Sequence, residues 1–295
     1  MPRPVAYLTL ADRGDFVFYD HLTFGPMAER GWTVGEIPWD AAGVDWGRYA
    51  AVVIRSPWDY QDRPSEFLAV LEGIESLGVP LLNGTRTVRW NLQKGYLRDL
   101  ATAGVSIVPT RWPEDGAADD WFADGLDEVV VKPLVGANAD DTFRIRRSDA
   151  ATLRAAREAF AGRECMVQPF LRSVVERGEY SLFYFGGEYS HCVLKRPATG
   201  DFRVQEEHGG TITAADPPDG TREIARRALA SAPEPTLYAR VDFVRLDDGA
   251  WAVIELELIE PSLYFPYDGA SPDRFAEAFD KLMTGPLRVG SRRPD

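Results

Sequence analysis

The sequence predicts an α/β protein, and three observations carry that reading. Strand and helix signals alternate over the first 85 residues, glycine-marked turns join apolar runs further along, and 45% hydrophobic content is enough to fill a core. A chain of 295 residues fits one large multi-lobed domain or two modest ones.

The first elements read, in order, as "VAYLTL", an amphipathic stretch near residues 17 to 30, "TVGEIPW", "AAVVIR", a helix from about Pro64 to Leu77, and "VPLLN". Strands and helices at this spacing predict a parallel sheet built from right-handed βαβ units. Ligands of such sheets lie beyond the carboxyl ends of the strands. "RSPWDY" falls at one such end, which makes Arg55 and Ser56 candidate substrate contacts. The plainer reading is a turn with a packed Trp58 and an arginine paired to a surface acid.

A single helix is expected over "TVRWNLQKGYLRDLATAG", with Trp90, Leu97 and Leu100 among its apolar residues, Lys94 inside it and Gly104 as its stop. Next come a strand "EVVVKPL", a small-residue loop "VGANADD", a strand "TFRIR", a helix from about Ser148 to Phe160, and a strand "CMVQPFL". "GEYSLFYFGGEYSHCVLKRP" reads as a hairpin turning at Gly186 and Gly187. The polar stretch "ATGDFRVQEEHGGTITAADPPDG" shows little periodicity, and a loop this long is usually functional or disordered. There is no internal repeat, low-complexity tract or flexible linker.

The most informative segment is "RVDFVRLDDGAWAVIELELIE", residues 240 to 260, an apolar strand pattern carrying Asp242, Glu255, Glu257 and Glu260. Asp248-Gly249 signals a two-residue type I′ turn, closed by Asp247 and Ala250. That register sets Asp242 opposite Glu255 and Arg240 opposite Glu257, all on one face; a four-residue loop gives the same pairing, whereas a three-residue turn would break it. Carboxylates directly opposite on a sheet repel unless something positive lies between them. An oxygen-rich set of this kind suits Mg²⁺, held by one or two carboxylates together with substrate phosphates. The alternative is a solvent-facing acidic hairpin with Arg240 paired to Glu257. Glu260, of opposite parity to Glu255, is expected to point elsewhere unless a bulge intervenes.

Charge narrows the partners. With 33 Lys plus Arg against 46 Asp plus Glu, the net charge of −13 repels nucleic acid and anionic membrane surfaces. An anionic nucleotide would need local cations, and Lys94, Lys132 at the edge of "EVVVKP", Lys195, Arg196 and Arg203 are the candidates. Neither GxxxxGK[ST] nor GxGxxG, GxSxG or HExxH occurs, and His21, His191 and His208 do not cluster. Cys165 and Cys192 lack metal-ligand spacing and read as core residues. A six-residue apolar run before Asp12 is too short for a signal-peptide core, and no run reaches membrane length, so a cytoplasmic protein is expected.

The succession of a strand–helix domain, "NLQKGYL", "VVVKP", "VQPFL", "GEYS", "LKRP" and the acidic hairpin resembles the ATP-grasp superfamily, from about residue 1 to residue 265. The resemblance implies a Rossmann-like parallel-sheet domain over residues 1–88, a small lobe over 89–172 and a catalytic lobe over 173–295, with the two β-rich lobes clamping ATP. It implies that Asp242 and Glu255 hold Mg²⁺, with Glu257 standing where Asn is usual. Lys94 and Lys132 become the phosphate-binding lysines, Gln168, Pro169, Phe170 and Leu171 the adenine hinge, Glu179 the ribose acceptor and Arg240 the stabiliser of the transition state. "LKRPATGDFRVQEEHGG" is similar to a loop of bacterial glutathione synthetases, which sets Lys195, Arg196 and Arg203 toward the γ-phosphate and the carboxylate being activated, on a lid spanning about residues 196 to 218.

"RSPWDY", "RWNLQKGYLRDL", "DFRVQEEHGG" and "ELELIEPSLYF" resemble the group that contains the cycloserine-forming O-ureido-D-serine cyclo-ligase, and so add Glu260 and Ser262 to Arg55 and Ser56 as substrate contacts. The implied activity is an ATP-dependent carboxylate–amine ligation through an acyl phosphate on a small amino acid-like substrate, by a monomer or homodimer. An intermolecular amide or peptide ligase, or a nucleotide-binding protein without turnover, are the alternatives. A merely structural acidic protein would leave Lys94, Lys132 and Arg240 scattered.

Overall fold

The computed structural model describes residues 3–14, 16–113, 121–136 and 141–285. Residues 137–140 of the "VGANADD" loop, and residues 1–2 and 286–295 of the two outer expected lobes, lie outside the described residues.

Four parallel strands form the first sheet: β1 (Arg3–Thr9), β2 (Trp32–Pro38), β3 (Ala51–Ser56) and β4 (Leu81–Leu82), in the order β2-β1-β3-β4. β1 and β3 are nearly continuous apolar runs because such strands are covered on both faces. Helix α1 (Phe24–Glu29) follows β1, and α2 (Pro64–Ser76) follows β3. Pro64 opens α2, where its missing N–H costs nothing, and Phe67, Leu71 and Ile74 form its buried stripe against Val52, Ile54 and Leu81.

The single helix expected over residues 87 to 104 is in fact two, α3 (Thr85–Asn91) and α4 (Tyr96–Thr102). Tertiary hydrogen bonds override the helical pattern. The Asn91 side chain donates to the Leu256 carbonyl at 2.8 Å and accepts from the Leu258 amide at 2.8 Å. The Lys94 amide donates to the Leu134 carbonyl at 2.8 Å instead of back into its own helix. Lys94 therefore sits in a break, where its side chain is free to leave the helix axis.

A small antiparallel sheet follows, β5 (Glu128–Pro133), β6 (Phe143–Arg146) and β7 (Cys165–Pro169), in the order β6-β5-β7. Helix α5 (Ala150–Ala159) backs it, capped by Asp149, whose carboxylate accepts from the Ala151 and Thr152 amides.

After α6 (Arg172–Arg177) comes the predicted hairpin, β8 (Glu179–Phe185) and β9 (Glu188–Arg196), with φ of 58° at Gly186 and 84° at Gly187 as a type I′ turn requires. The polar stretch holds one strand that its sequence does not announce, β10 (Thr211–Ala214), paired to β9. Only Ile212 of that strand is buried, too little for a period-2 signal. Helix α7 (Thr221–Ala230) leads to β11 (Tyr238–Arg245) and β12 (Trp251–Glu257), completing a five-stranded sheet in the order β10-β9-β8-β11-β12, and α8 (Ser271–Thr284) closes the described fold.

The parallel sheet and the five-stranded sheet share a core: Val5, Tyr7 and Val53 pack in one cluster with Phe183, Phe185, Tyr238 and Phe275. Asn83, at φ 58°, stitches the two together, donating to the Tyr238 and Leu258 carbonyls at 2.9 and 2.6 Å and accepting from the Leu237 amide at 2.7 Å. Cys165 and Cys192 are buried and free, as their sequence context predicts. Among the described residues no helix is long and apolar enough to cross a membrane.

Candidate active site

The acidic hairpin keeps its expected register by an unexpected route. Its turn has three residues, closed by the Leu246 amide on the Ala250 carbonyl at 2.8 Å with Gly249 at φ 87°. That offset would put the acids on opposite faces. A bulge at Ile254 restores the pairing: Phe243 faces Val253, but Asp242 faces Glu255 and Arg240 faces Glu257.

Asp242, Glu255 and Glu257 each bring a carboxylate oxygen within 4.8 Å of the others. Asp242 is almost fully buried and heavily partnered: Ser181 Oγ donates at 2.5 Å, Arg240 Nε and Nη2 at 3.1 and 3.0 Å, and Lys195 Nζ at 3.3 Å. Burial works against its charge, yet Arg240 and Lys195 outweigh that and hold the carboxyl at about 2. Arg240 also donates to Glu257, and Lys195 pairs with Glu179. Lys94 Nζ reaches Glu255 at 2.5 Å and the Gly136 carbonyl at 3.1 Å. Burial depresses Lys132, with Glu255 opposing it.

Acid still exceeds base on this face. Burial, reinforced by Glu255 and Asp242, pushes the Glu257 carboxyl up to about 8, and burial beside Glu255 pushes Glu260 to about 7. An all-oxygen donor set that is short of positive charge fits a hard divalent cation.

These groups line one cleft. Lys94, Lys132, Gln168, Pro169, Phe170, Leu171, Glu179, Lys195, Arg203, Arg240, Asp242, Glu255, Glu257, Glu260 and Ser262 all face it. The parity argument for Glu260 does not apply, because the chain leaves β12 at Glu257 and Glu260 enters from the following loop. Trp58 Nε1 donates to the Glu260 carbonyl at 2.9 Å, and Tyr60 hydrogen-bonds its carboxyl.

Three sequence candidates lie elsewhere. Arg55 is buried and held by Asp20 at 2.9 Å and the Pro261 carbonyl at 3.1 Å, with the Tyr238 ring 4.7 Å away; its acid is interior, not on the surface. Ser56 donates to Thr9 Oγ1 at 3.1 Å. Both belong to β3 itself, whereas Trp58 and Tyr60, just past its carboxyl end, reach the cleft. Arg196 follows Lys195 on β9, so strand alternation turns it to the other face, where it is exposed. Sequence reasoning also passed over Asn91, Phe202 and Tyr264, which line the cleft. Tyr264 had no local signal, since its left-handed backbone, φ 45°, is visible only in the fold.

Comparison with known proteins identifies the family and the fold. Residues 5–83 match the model for the N-terminal domain of D-cycloserine synthetase DcsG, and residues 107–244 match the prokaryotic glutathione synthetase ATP-grasp domain. The cycloserine biosynthesis protein DcsG of Streptomyces lavendulae is 36% identical, covering 88% of this chain and 93% of that protein. A glutathione synthetase of Parasynechococcus marenigrum is 29% identical over 76% of this chain and 73% of its own. The crystal structure of D-cycloserine synthetase DcsG superposes with a TM-score of 0.83 at 33% identity, covering 95% of this chain and 99% of that one. A D-alanine–D-alanine ligase from Bacillus anthracis, at 14% identity and TM-score 0.69 over 95% and 97% of the two chains, shares the fold. The chain is an ATP-dependent ligase with the ATP-grasp fold, and it belongs to the D-cycloserine synthetase family.

Proposed function

We propose that this ligase activates the carboxylate of a serine carrying a nitrogen nucleophile on its side-chain oxygen and closes a five-membered ring within that molecule, as in O-ureido-D-serine to D-cycloserine. The observation that carries the reading is the convergence of Asp242, Glu255 and Glu257 with Lys94, Lys132, Lys195 and Arg240 in one cleft, in a chain 36% identical to a cycloserine biosynthesis protein.

A carboxylate is a poor electrophile. Transfer of the ATP γ-phosphoryl group to it gives an acyl phosphate and ADP; the nitrogen then attacks the acyl carbon, and phosphate leaves. With the ureido substrate the carbamoyl group on the ring nitrogen is then cleaved by water and departs as carbon dioxide and ammonia. With little covalent work for the protein, catalysis is positioning and charge neutralisation. Lys94 and Lys132 grip the phosphates. Gln168 to Leu171 seat the adenine, with Phe170 and Phe202 meeting edge to face at 6.4 Å as an apolar wall. Glu179, fixed by Lys195, accepts from the ribose. Arg240 and Arg203 stabilise the charge that develops on the transferring phosphoryl and acyl oxygens. Asp242, Glu255 and Glu257 would hold Mg²⁺, which when bound neutralises phosphate charge. Trp58, Tyr60, Glu260 and Ser262, on the side of the parallel sheet, form the amino acid end of the cleft.

ADP release measured with O-ureido-D-serine alone, and with amino acids singly and in pairs, tests the reading. Release with the ureido compound alone, accompanied by a ring product, supports it. A requirement for a second amino acid would make the enzyme an intermolecular ligase, and no release with any of them would make it a nucleotide-binding protein without turnover.

A further inference from the structure

The loop between β9 and β10 forms one wall of the cleft through Phe202, Arg203, Val204, Gln205 and Glu207. It is internally stiff. Asp201 grips the Arg203 guanidinium at 2.7 Å, and the Gly210 amide donates to the Gln205 carbonyl at 3.0 Å. A Cβ at Gly210 would stand 2.2 Å from the Val204 carbonyl oxygen, so only glycine allows this closed shape. A loop this stiff moves as a unit, and its attachment to the rest of the molecule decides where Arg203 stands.

That attachment includes Glu206, which points away from the cleft lining. Its carboxylate accepts from Tyr19 Oη at 3.3 Å and from Tyr267 Oη at 3.0 Å. Tyr19 precedes α1 in the parallel-sheet half of the molecule, and Tyr267 belongs to the turn after β12. Between their rings stands Tyr264, with centroids 6.5 and 5.8 Å away, facing the cleft in a left-handed conformation that a tyrosine adopts only under constraint. Burial raises the Glu206 carboxyl above the usual carboxylate range in spite of the two hydroxyls, which fits a contact partly shielded from water.

We infer that Glu206, Tyr19 and Tyr267 form a latch that holds the β9–β10 loop shut over the cleft, making Glu206 a positioning residue for Arg203 and a guard against water. The inference rests on the acyl-phosphate reading above. With the latch open, water adds to the acyl carbon, the bond from that carbon to the phosphate oxygen breaks, and phosphate leaves with the free acid restored. One ATP is then spent without product.

The test uses the enzyme with Tyr19→Phe, Tyr267→Phe, the double variant, Glu206→Ala and Glu206→Gln; the Phe variants keep the rings and the packing. Hydrogen exchange of residues 197–210 in the ligand-free protein should quicken about ten-fold in the double variant, the loss expected when hydrogen bonds to a charged acceptor are removed. ADP formed per ring product should rise from near one to several in the double variant and in Glu206→Ala, with Glu206→Gln, which keeps an acceptor, in between. Unchanged exchange overturns the latch. Faster exchange with an unchanged ADP-to-product ratio overturns the guarding role. If the unaltered enzyme releases no ADP with any substrate, the ligase reading fails instead, and the exchange comparison still decides the latch.

Discussion

Arg55 and Arg240 are both buried arginines on interior strands, and their surroundings differ in a way that separates architecture from site. Arg55 is balanced, with one cation, one anion in Asp20, a backbone carbonyl and an aromatic face. Arg240 stands among Asp242, Glu257, Glu255 and Glu260, on a face whose other cations among the described residues are Lys94, Lys132, Lys195 and Arg203. A closed pair asks for nothing further. A buried face that keeps surplus acid, where burial first and neighbouring carboxylates second raise Glu257 to about 8 and Glu260 to about 7, favours added positive charge.

The contrast can be broken by mutation. Arg55→Met leaves Asp20 buried and uncompensated, so it should cost about 3–5 kcal/mol in denaturant unfolding while nucleotide affinity of the folded fraction stays the same. A second closed contact is His191, stacked on Phe183 at 4.3 Å and hydrogen-bonded to the Leu263 carbonyl at 3.0 Å. Burial depresses it to about 4 from the 6.5 it has when exposed. The unfolded chain therefore binds this proton first: stability from this group is complete above pH 6.5, falls as pH drops toward 4, and its total is about 3 kcal/mol. Unfolding curves between pH 7 and 4 in the protein and in His191→Phe should diverge over that window, the variant losing less.

Changes on the acidic face should act on function instead. Glu255→Gln should lower turnover about 100-fold, ~2.7 kcal/mol, with little change in stability, because a preorganised charge is lost while the fold keeps its shape. Lys132→Ala should weaken nucleotide binding about ten-fold, ~1.4 kcal/mol, read by calorimetry. Normal nucleotide affinity in that variant would remove Lys132 from the phosphate site.

Much of this was legible in the chain because local signals agree with the fold. The apolar runs of β1 and β3, the Pro64 start of α2 and the Gly186-Gly187 turn are each decided within a few residues. Pairing Asp242 with Glu255 was legible for a less secure reason. The two-residue turn inferred from Asp248-Gly249 does not form, and the bulge at Ile254 cancels the offset; nothing in the local sequence marks that bulge. The break at Lys94, the entry of Glu260 from a loop and the inward turn of Trp58 and Tyr60 depend on partners 40 or more residues distant along the chain, such as Leu134 for the Lys94 amide and Glu260 for Trp58. Arg55 shows the converse: a charge at the carboxyl end of a strand looks functional until the fold supplies Asp20.

The central claim is that the acidic face binds a metal–nucleotide pair. Calorimetric titration of Mg²⁺ with a non-hydrolysable ATP analogue into the unaltered protein and into Glu255→Gln, with matched circular dichroism and unfolding midpoints, tests it most directly. The account predicts binding in the first and a loss of at least ten-fold in affinity in the second, at equal stability. Equal affinity in the two proteins would contradict it.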